Sequence, residues 1–90
     1  MSKYRTVFDP DARAELRGIA LPIARRILAK LAELESDPYA FATTELVARP
    51  GVRRLRVGDY RIFYRVYEAD VVVLVIRVAH RSVAYCLMSA

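Results

Sequence analysis

Residues 52–67 of the chain read VRRLRVGDYRIFYRVY and contain the clearest structural pattern of the sequence. The dipeptide Gly58-Asp59 is a signal for a two-residue turn, and both flanking segments are rich in β-branched and aromatic residues. The pattern therefore predicts two antiparallel strands, Val52–Val57 and Tyr60–Tyr67, joined by a tight hairpin.

The register of this hairpin sorts its side chains onto two faces, because a two-residue turn fixes which residues are partners. One face is mostly apolar and is expected to lie under helices. Its predicted pairs are Val57 with Tyr60, Leu55 with Ile62, and Arg53 with Tyr64. The opposite face is expected to pair Arg56 with Arg61, Arg54 with Phe63, and Val52 with Arg65.

A third strand is predicted after a second turn. Glu68-Ala69-Asp70 interrupts the strand pattern, and residues 71–80 form a β-branched run suited to a central strand. With a three-residue turn, Arg77 lies opposite Arg61, and Arg81 continues on the same side. One face of the sheet is then expected to collect these arginines around Phe63: Arg54, Arg56, Arg61, Arg65, Arg77 and Arg81.

The N-terminal half predicts one strand followed by two helices. Residues 4–8 alternate between polar and apolar as a strand does. Asp9 is a candidate N-cap for a helix over residues 10–18. Pro22 begins a second, amphipathic helix, which the Ser-Asp-Pro sequence of residues 36–38 ends.

These elements predict an α+β fold with the order β-α-α-β-β-β: a mostly antiparallel four-stranded sheet with a helical hairpin packed on one face. Residues 39–51 are expected to form a loop. All of residues 1–90 are expected to form one domain, because chains divide into several domains only at greater length. Since the chain ends five residues after Tyr85, no C-terminal helix is expected.

The composition is that of a globular protein, with 56% hydrophobic and 28% charged residues. The longest apolar run, residues 71–76, is far shorter than the ~20 residues that cross a bilayer, and no signal-peptide pattern precedes the first strand. A single cysteine, Cys86, excludes an internal disulfide bond and a structural zinc site. We therefore expect a cytoplasmic protein that contacts no membrane and needs no cofactor.

The net charge of +5 is carried by the C-terminal half. Residues 1–48 contain seven basic and seven acidic residues, whereas residues 49–90 contain eight arginines and three acidic residues. The guanidinium group meets phosphate oxygens with a planar pair of donors and stays charged at any relevant pH. Because like charges opposed across a sheet are destabilising, such a face indicates a site for a phosphate backbone, with RNA the best candidate.

An aromatic side chain on this face, Phe63 or Tyr67, is a candidate for stacking on a base. The alternative interpretation of the whole face is a solvated surface on which arginine serves solubility. An acidic, partly disordered protein is a further partner that such a face can bind.

Two motifs occur together in this basic chain: residues 58–64 read GDYRIFY, and residues 80–85 read HRSVAY, with an apolar strand between them. At this spacing they resemble the RelE/ParE superfamily of bacterial toxins, and the resemblance covers nearly the whole chain. It implies a RelE-type toxin, an endoribonuclease that enters the ribosomal A site and cuts mRNA by 2′-hydroxyl attack without a metal. The implied partners are the ribosome, mRNA and an acidic, RelB-like antitoxin.

The resemblance also implies roles for individual residues. Arg61 matches the motif arginine and would hold the scissile phosphate. Arg81 matches the second arginine and would stabilise the developing charge and the leaving group, and Tyr85 matches the terminal tyrosine. Arg54 lies where the family places a lysine, although Val52 stands where its RNases often carry another. The remaining predicted RNA contacts are Arg56, Phe63, Arg65 and Arg77.

Two other functions are open at this point. A ParE-type toxin has the same fold and inhibits DNA gyrase without catalysis, and a degenerate member of the fold would only bind nucleic acid. The set of Arg61, Arg81 and Tyr85 favours the RNase, because a gyrase inhibitor has no need of it. Tyr85 is alternatively a packing or stacking residue. Strand parity turns His80 away from Arg81, which favours a core position over a catalytic one.

Overall fold

The computed structural model describes residues 3–40 and 42–88, and these residues form one sheet and three helices. The elements are, in chain order, β1 (Arg5–Phe8), α1 (Pro10–Arg17), α2 (Leu21–Leu34), β2 (Thr43–Glu45), β3 (Arg53–Val57), β4 (Tyr60–Tyr67), β5 (Val72–His80) and α3 (Arg81–Met88). Within the described ranges, no helix has the length and apolar character needed to span a membrane.

The sheet has five strands in the order β1-β5-β4-β3-β2, and its strands pair antiparallel except for β1, which runs parallel to β5. The predicted α+β fold with a mostly antiparallel sheet is confirmed. The expected loop over residues 39–51 contains the additional edge strand β2, which pairs with residues 53–55. Three residues are too few to show a strand periodicity in the sequence.

The expectation that the chain lacks a C-terminal helix is wrong. Residues 81–88 form α3, which follows β5 without an intervening loop. The helix lies across the sheet face opposite to α1 and α2, where Ala84 and Leu87 pack on apolar strand residues. The face that was expected to be open is therefore partly covered.

The predicted register of the first hairpin is confirmed at every pair within β3 and β4, including Arg56 with Arg61 and Arg54 with Phe63. The turn depends on Gly58, which adopts a positive φ of 57°. This left-handed conformation costs a residue with a Cβ about 1–2 kcal/mol.

The predicted register of the second hairpin is wrong, because Arg77 lies opposite Phe63 and not opposite Arg61. The turn is one residue longer than expected: Tyr67 pairs with Val72, and Val71 takes a positive φ of 54°. This extra residue alone would send Arg77 to the helix side. A bulge at Ile76 inserts a second extra residue into β5 and returns Arg77 to the opposite face.

The main core lies between the sheet and the two helices α1 and α2. Ile27 and Leu31 of α2 pack against Ile62 and Tyr64 of β4, and all four side chains are buried. Full burial of each such aliphatic side chain stabilises the fold by about 1.5–3 kcal/mol. The Tyr64 hydroxyl donates a hydrogen bond to the Pro38 carbonyl at 2.5 Å. This satisfies the polar end of a buried ring.

A second, smaller apolar cluster lies on the other face of the sheet, beneath α3. Its buried members are Val52, Phe63, Ala79 and Ala84, with Leu46, Ile76 and Leu87 packed against them. The cluster fixes α3 over the middle of the sheet and separates the arginines of that face into two groups.

Candidate RNA-binding cleft

A cleft of about 390 Å³ opens between α3, the outer face of β3 and β4, and residues 46–48. Its polar lining consists of Arg54, Arg61, Arg81 and Tyr85, and we call it the arginine cleft. Phe63 and Ala84 also contribute to its walls.

Three elements bring these polar side chains together. Arg54 comes from β3, Arg61 from the start of β4, and Arg81 and Tyr85 from α3. The two α3 residues are one helical turn apart, so they lie on the same side of the helix. All three residues predicted to be catalytic, and the predicted contact Arg54, therefore line one cleft.

Arg61 is half-buried, and its Nη1 donates hydrogen bonds to the carbonyls of Gly58 and Tyr60, both at 3.0 Å. Burial lowers the pKa of Arg61, and the positive charges of Arg56, Arg54 and Arg81 lower it further; the carboxylate of Asp59 acts in the opposite direction. Arginine stays charged nonetheless. The result is a crowded positive charge that an anion would stabilise.

Arg81 stands at the first position of α3 and is tied to the hairpin turn. Its backbone N–H donates to the Asp59 carbonyl at 2.7 Å. Its Nε lies 3.6 Å from the Asp59 carboxylate, and both side chains are about two-thirds exposed, at 66% and 65%. An exposed pair of this kind contributes little to stability, so Arg81 can exchange Asp59 for another anion at low cost.

Arg54 and Tyr85 complete the polar lining. Within the described part of the chain, Arg54 forms no ion pair, and its Nε is buried without a hydrogen-bond partner. Tyr85 is 79% exposed, so its ring is accessible at the edge of the cleft.

The prediction that Phe63 stacks on a base does not fit the structure. Phe63 is only 2% exposed, because Ala84 of α3 packs over the strand that carries it. Its ring supports the floor of the arginine cleft and has no free face of the kind that base stacking requires.

Arg56 is exposed and lies directly opposite Arg61, at the margin of the arginine cleft. It adds to the positive charge of the site without lining it.

Arg65 and Arg77 lie in a different depression. This second cleft, which we call the mixed cleft, also contains Asp9, Asp11 and Arg49. The single arginine face that the sequence predicted is therefore divided, with Leu87 of α3 lining the mixed cleft and Ala84 the arginine cleft.

Arg77 is bound to an acidic residue. Glu15 of α1 accepts hydrogen bonds from its Nε at 3.0 Å and its Nη2 at 2.6 Å, and this bonding raises the pKa of Arg77 above its usual value. The other Glu15 oxygen accepts the Val78 backbone N–H at 2.8 Å. Because Glu15 neutralises Arg77, the prediction of Arg77 as an RNA contact loses its basis, which was an unpaired charge.

Arg53 belongs to the opposite side of the sheet, as its pairing with Tyr64 predicted. Its Nη2 donates to the Thr43 hydroxyl at 2.8 Å, and its guanidinium lies 5.3 Å from the centre of the Tyr39 ring. The Tyr39 hydroxyl donates to Glu68, which raises the pKa of Tyr39 to about 12. These contacts anchor the segment that leads into β2.

His80 lies opposite Tyr60 on the sheet face that α1 and α2 cover, which is the side that strand parity predicted. It is only partly buried, however, so the predicted core position is wrong. Its imidazole and the Tyr60 ring meet edge to face, with their centres 5.4 Å apart. It does not line the arginine cleft.

Sequence reasoning missed two features of the site. Residues 46–48 form one rim of the arginine cleft, and Val47 is 97% exposed there, but the segment has no motif that would have indicated it. Asp59 was predicted only as a turn residue, whereas it also binds Arg81. Across residues 3–40 and 42–88, no group of three or more His, Cys, Asp and Glu side chains could hold a metal ion.

Solved structures with this architecture include RelE toxins and their complexes. The isolated E. coli RelE toxin matches with a TM-score of 0.77 and 29% identity, covering 86% of this chain and 83% of that chain. The toxin-antitoxin complex RelBE2 from Mycobacterium tuberculosis contains a chain that matches with a TM-score of 0.76 and 27% identity, covering 88% and 99%. An E. coli RelE mutant in complex with an antitoxin RelBc peptide matches with a TM-score of 0.76 and 31% identity, covering 94% of this chain and 93% of that chain.

The fold thus defines a toxin of the RelE/ParE superfamily, which confirms the resemblance found in the sequence. A family model described as the ParE toxin of the type II toxin-antitoxin system, parDE, matches residues 6–85. The chain belongs to this family of type II toxins. A sequence comparison with curated proteins gave no significant match.

Proposed function

We propose that this toxin is a ribosome-dependent endoribonuclease that cleaves mRNA in the A site. The observation that carries the proposal is the convergence of Arg54, Arg61, Arg81 and Tyr85 on one cleft. This set supplies concentrated positive charge and one ionisable hydroxyl, which are the groups that metal-free cleavage of RNA requires.

In the proposed reaction the 2′-oxygen of a nucleotide attacks the adjacent phosphorus. An O2′–P bond forms, the P–O5′ bond breaks, and the products are a 2′,3′-cyclic phosphate and a free 5′-hydroxyl. The 2′-hydroxyl loses its proton to a base, and the leaving 5′-oxygen gains a proton. The phosphorus passes through a pentavalent state with more negative charge than the substrate, so cations lower the barrier.

The residues of the arginine cleft suit separate parts of this reaction. Arg61 binds the non-bridging phosphate oxygens, for which it exchanges its hydrogen bonds to the Gly58 and Tyr60 carbonyls. Arg81 leaves Asp59 and stabilises the developing charge at the leaving oxygen. Tyr85 is the candidate for proton transfer, because it is the exposed phenol at the edge of the cleft. Arg54 adds a contact to the substrate backbone.

An acidic antitoxin is the second part of the proposal. The solved complexes described above pair RelE toxins with RelB antitoxins, and the present chain carries a net charge of +5 that an acidic partner would balance. We expect the product of the neighbouring reading frame to co-purify with the toxin and to relieve growth inhibition. Failure of both co-purification and rescue would contradict this assignment.

The second candidate function is inhibition of DNA gyrase, and it is favoured by the match to the ParE family. One experiment separates the two. Purified toxin is added to ribosomes translating a defined message, and cleavage is mapped by primer extension; the same preparation is added to a gyrase supercoiling reaction. We expect cuts within the A-site codon and normal supercoiling. Inhibited supercoiling with an intact message would contradict the RNase and support the gyrase inhibitor.

A further inference from the structure

His80 occupies the junction at which β5 ends and α3 begins. Its Nδ1 accepts a hydrogen bond from the Ser82 backbone N–H at 3.1 Å and lies 2.8 Å from the Ser82 Oγ. A backbone N–H can only donate, so Nδ1 carries no proton in this arrangement. The structure therefore holds a neutral imidazole whose proton is on Nε2.

An acceptor in this place is a helix cap. The first N–H groups of a helix have no partner within it, and a cap residue satisfies one of them with its side chain. Ser82 is the second residue of α3, so the bond from its N–H to His80 is of the capping type. Neither α1 nor α2 begins with a side-chain cap.

The position of α3 depends on few interactions. It has eight residues, and isolated helices shorter than ~12–15 residues are marginal in water. Ala84 and Leu87 pack on the small apolar cluster, and the Arg81 N–H is bound to Asp59. A cap therefore matters more for this helix than it would for a longer one.

We propose that neutral His80 is a positioning residue that caps α3 and thereby holds Arg81 and Tyr85 in the arginine cleft. The effect on the helix stands on the geometry alone, whereas its consequence for cleavage rests on the proposed RNase function.

The test is amide hydrogen exchange of the wild type and of His80 variants, measured by NMR at neutral pH and corrected for the intrinsic exchange rate. The reporters are the amides of Tyr85 and Cys86 in α3, and the Tyr64 amide in the core strand serves as an internal reference. Loss of the cap should lower the protection of the α3 amides about 5-fold, which corresponds to the ~1 kcal/mol of a helix cap. The Tyr64 amide should change less.

Three variants make the result specific. His80→Ala removes the acceptor and should lower α3 protection about 5-fold. His80→Asn keeps a side-chain acceptor, so its α3 protection should stay close to that of the wild type. Ser82→Ala is the matched control, because it loses the hydroxyl but retains the capped backbone N–H, and its α3 protection should equal that of the wild type.

Several outcomes would overturn the inference. These are full α3 protection in His80→Ala, a loss of protection in His80→Asn as large as in His80→Ala, or an equal loss at Tyr64 and Tyr85, which would mean general destabilisation. Cleavage is measured on programmed ribosomes in parallel, where His80→Asn should restore the activity lost in His80→Ala. If the wild type itself does not cleave, the proposed function fails, while the exchange data still decide the role of His80.

Discussion

Arg61 is the residue at which the positive charge of the arginine cleft is most concentrated. Burial and three neighbouring arginines lower its pKa, and its hydrogen bonds go to two uncharged carbonyls. The nearby carboxylate, Asp59, already pairs with Arg81. A phosphate group would give Arg61 both a counter-charge and stronger acceptors, so phosphate binding would reduce the repulsion among these arginines.

Replacing Arg61 tests this role. Arg61→Ala should lower kcat/KM for A-site cleavage by ~10²-fold or more, as loss of an oxyanion-stabilising donor does in other enzymes. The melting temperature should not fall much, because one charge is removed from a crowded set. Arg65→Ala is the matched control, since Arg65 lies on the same strand but in the mixed cleft. Equal losses in the two variants would rule out a specific role for Arg61.

A conservative substitution tests the role of the Tyr85 hydroxyl. Tyr85→Phe removes only the hydroxyl, so cleavage should slow by about 10- to 10³-fold if that group transfers a proton. Ribosome binding should change less, because the ring remains. Measuring single-turnover cleavage and ribosome binding of the same variant shows whether the hydroxyl acts in the chemical step or in binding. Tyr67→Phe, at another exposed tyrosine, is the control; a Tyr85→Phe enzyme with wild-type cleavage would leave Tyr85 a packing or stacking residue.

At the scale of secondary structure, the two hairpins show what sequence can determine. The register of β3 and β4 could be predicted residue by residue, because a two-residue turn and alternating side chains specify it together. The register of β5 could not, because residues 71–76 are all apolar and give no signal of which side faces the core. Two extra residues, one at the turn and one in the bulge, compensate each other there.

Helix α3 could not be predicted from the sequence. It follows a strand without a loop, and its cap is a histidine, which is not among the residues that usually mark a helix start. The site was predictable in part: the hairpin register and the two motifs brought Arg54, Arg61, Arg81 and Tyr85 together. The pairing of Arg77 with Glu15, which is 62 positions away in the sequence, was not visible in any local pattern.

The first hairpin also gives a stability prediction for a single element. Gly58→Ala should lower the free energy of unfolding by about 1–2 kcal/mol, because φ at this position is +57° and a Cβ is strained there. Gly18→Ala is the contrasting variant: Gly18 ends α1 with φ −84°, a Cβ would meet only ordinary contacts, and stability should rise by about 0.4–1 kcal/mol. Urea denaturation at neutral pH measures both, and equal effects would contradict the role of the turn conformation.

At the scale of the whole molecule, charge is divided between the two halves of the chain. The N-terminal half is balanced, and its Glu15 binds Arg77 of the other half. The arginines of the arginine cleft have little such compensation, since Asp59 is the acid that pairs with one of them. Part of the excess positive charge is therefore concentrated in the arginine cleft, and the rest is spread over the surface. Substitutions can separate the contributions of these two parts to RNA binding.

Two variants with the same net charge make that separation. Arg54→Ala and Arg13→Ala each remove one positive charge, the first from the arginine cleft and the second from the exposed side of α1. If Arg54 contacts a phosphate of single-stranded RNA, its loss should reduce the slope of log affinity against log salt by about 0.7, because one fewer counterion is released. Arg13→Ala should leave the slope unchanged and only slightly slow association. Binding to programmed ribosomes is titrated between 50 and 200 mM salt, conditions over which phosphate contacts dominate such slopes. Equal slopes for the two variants would mean that general attraction, and not the arginine cleft, governs binding.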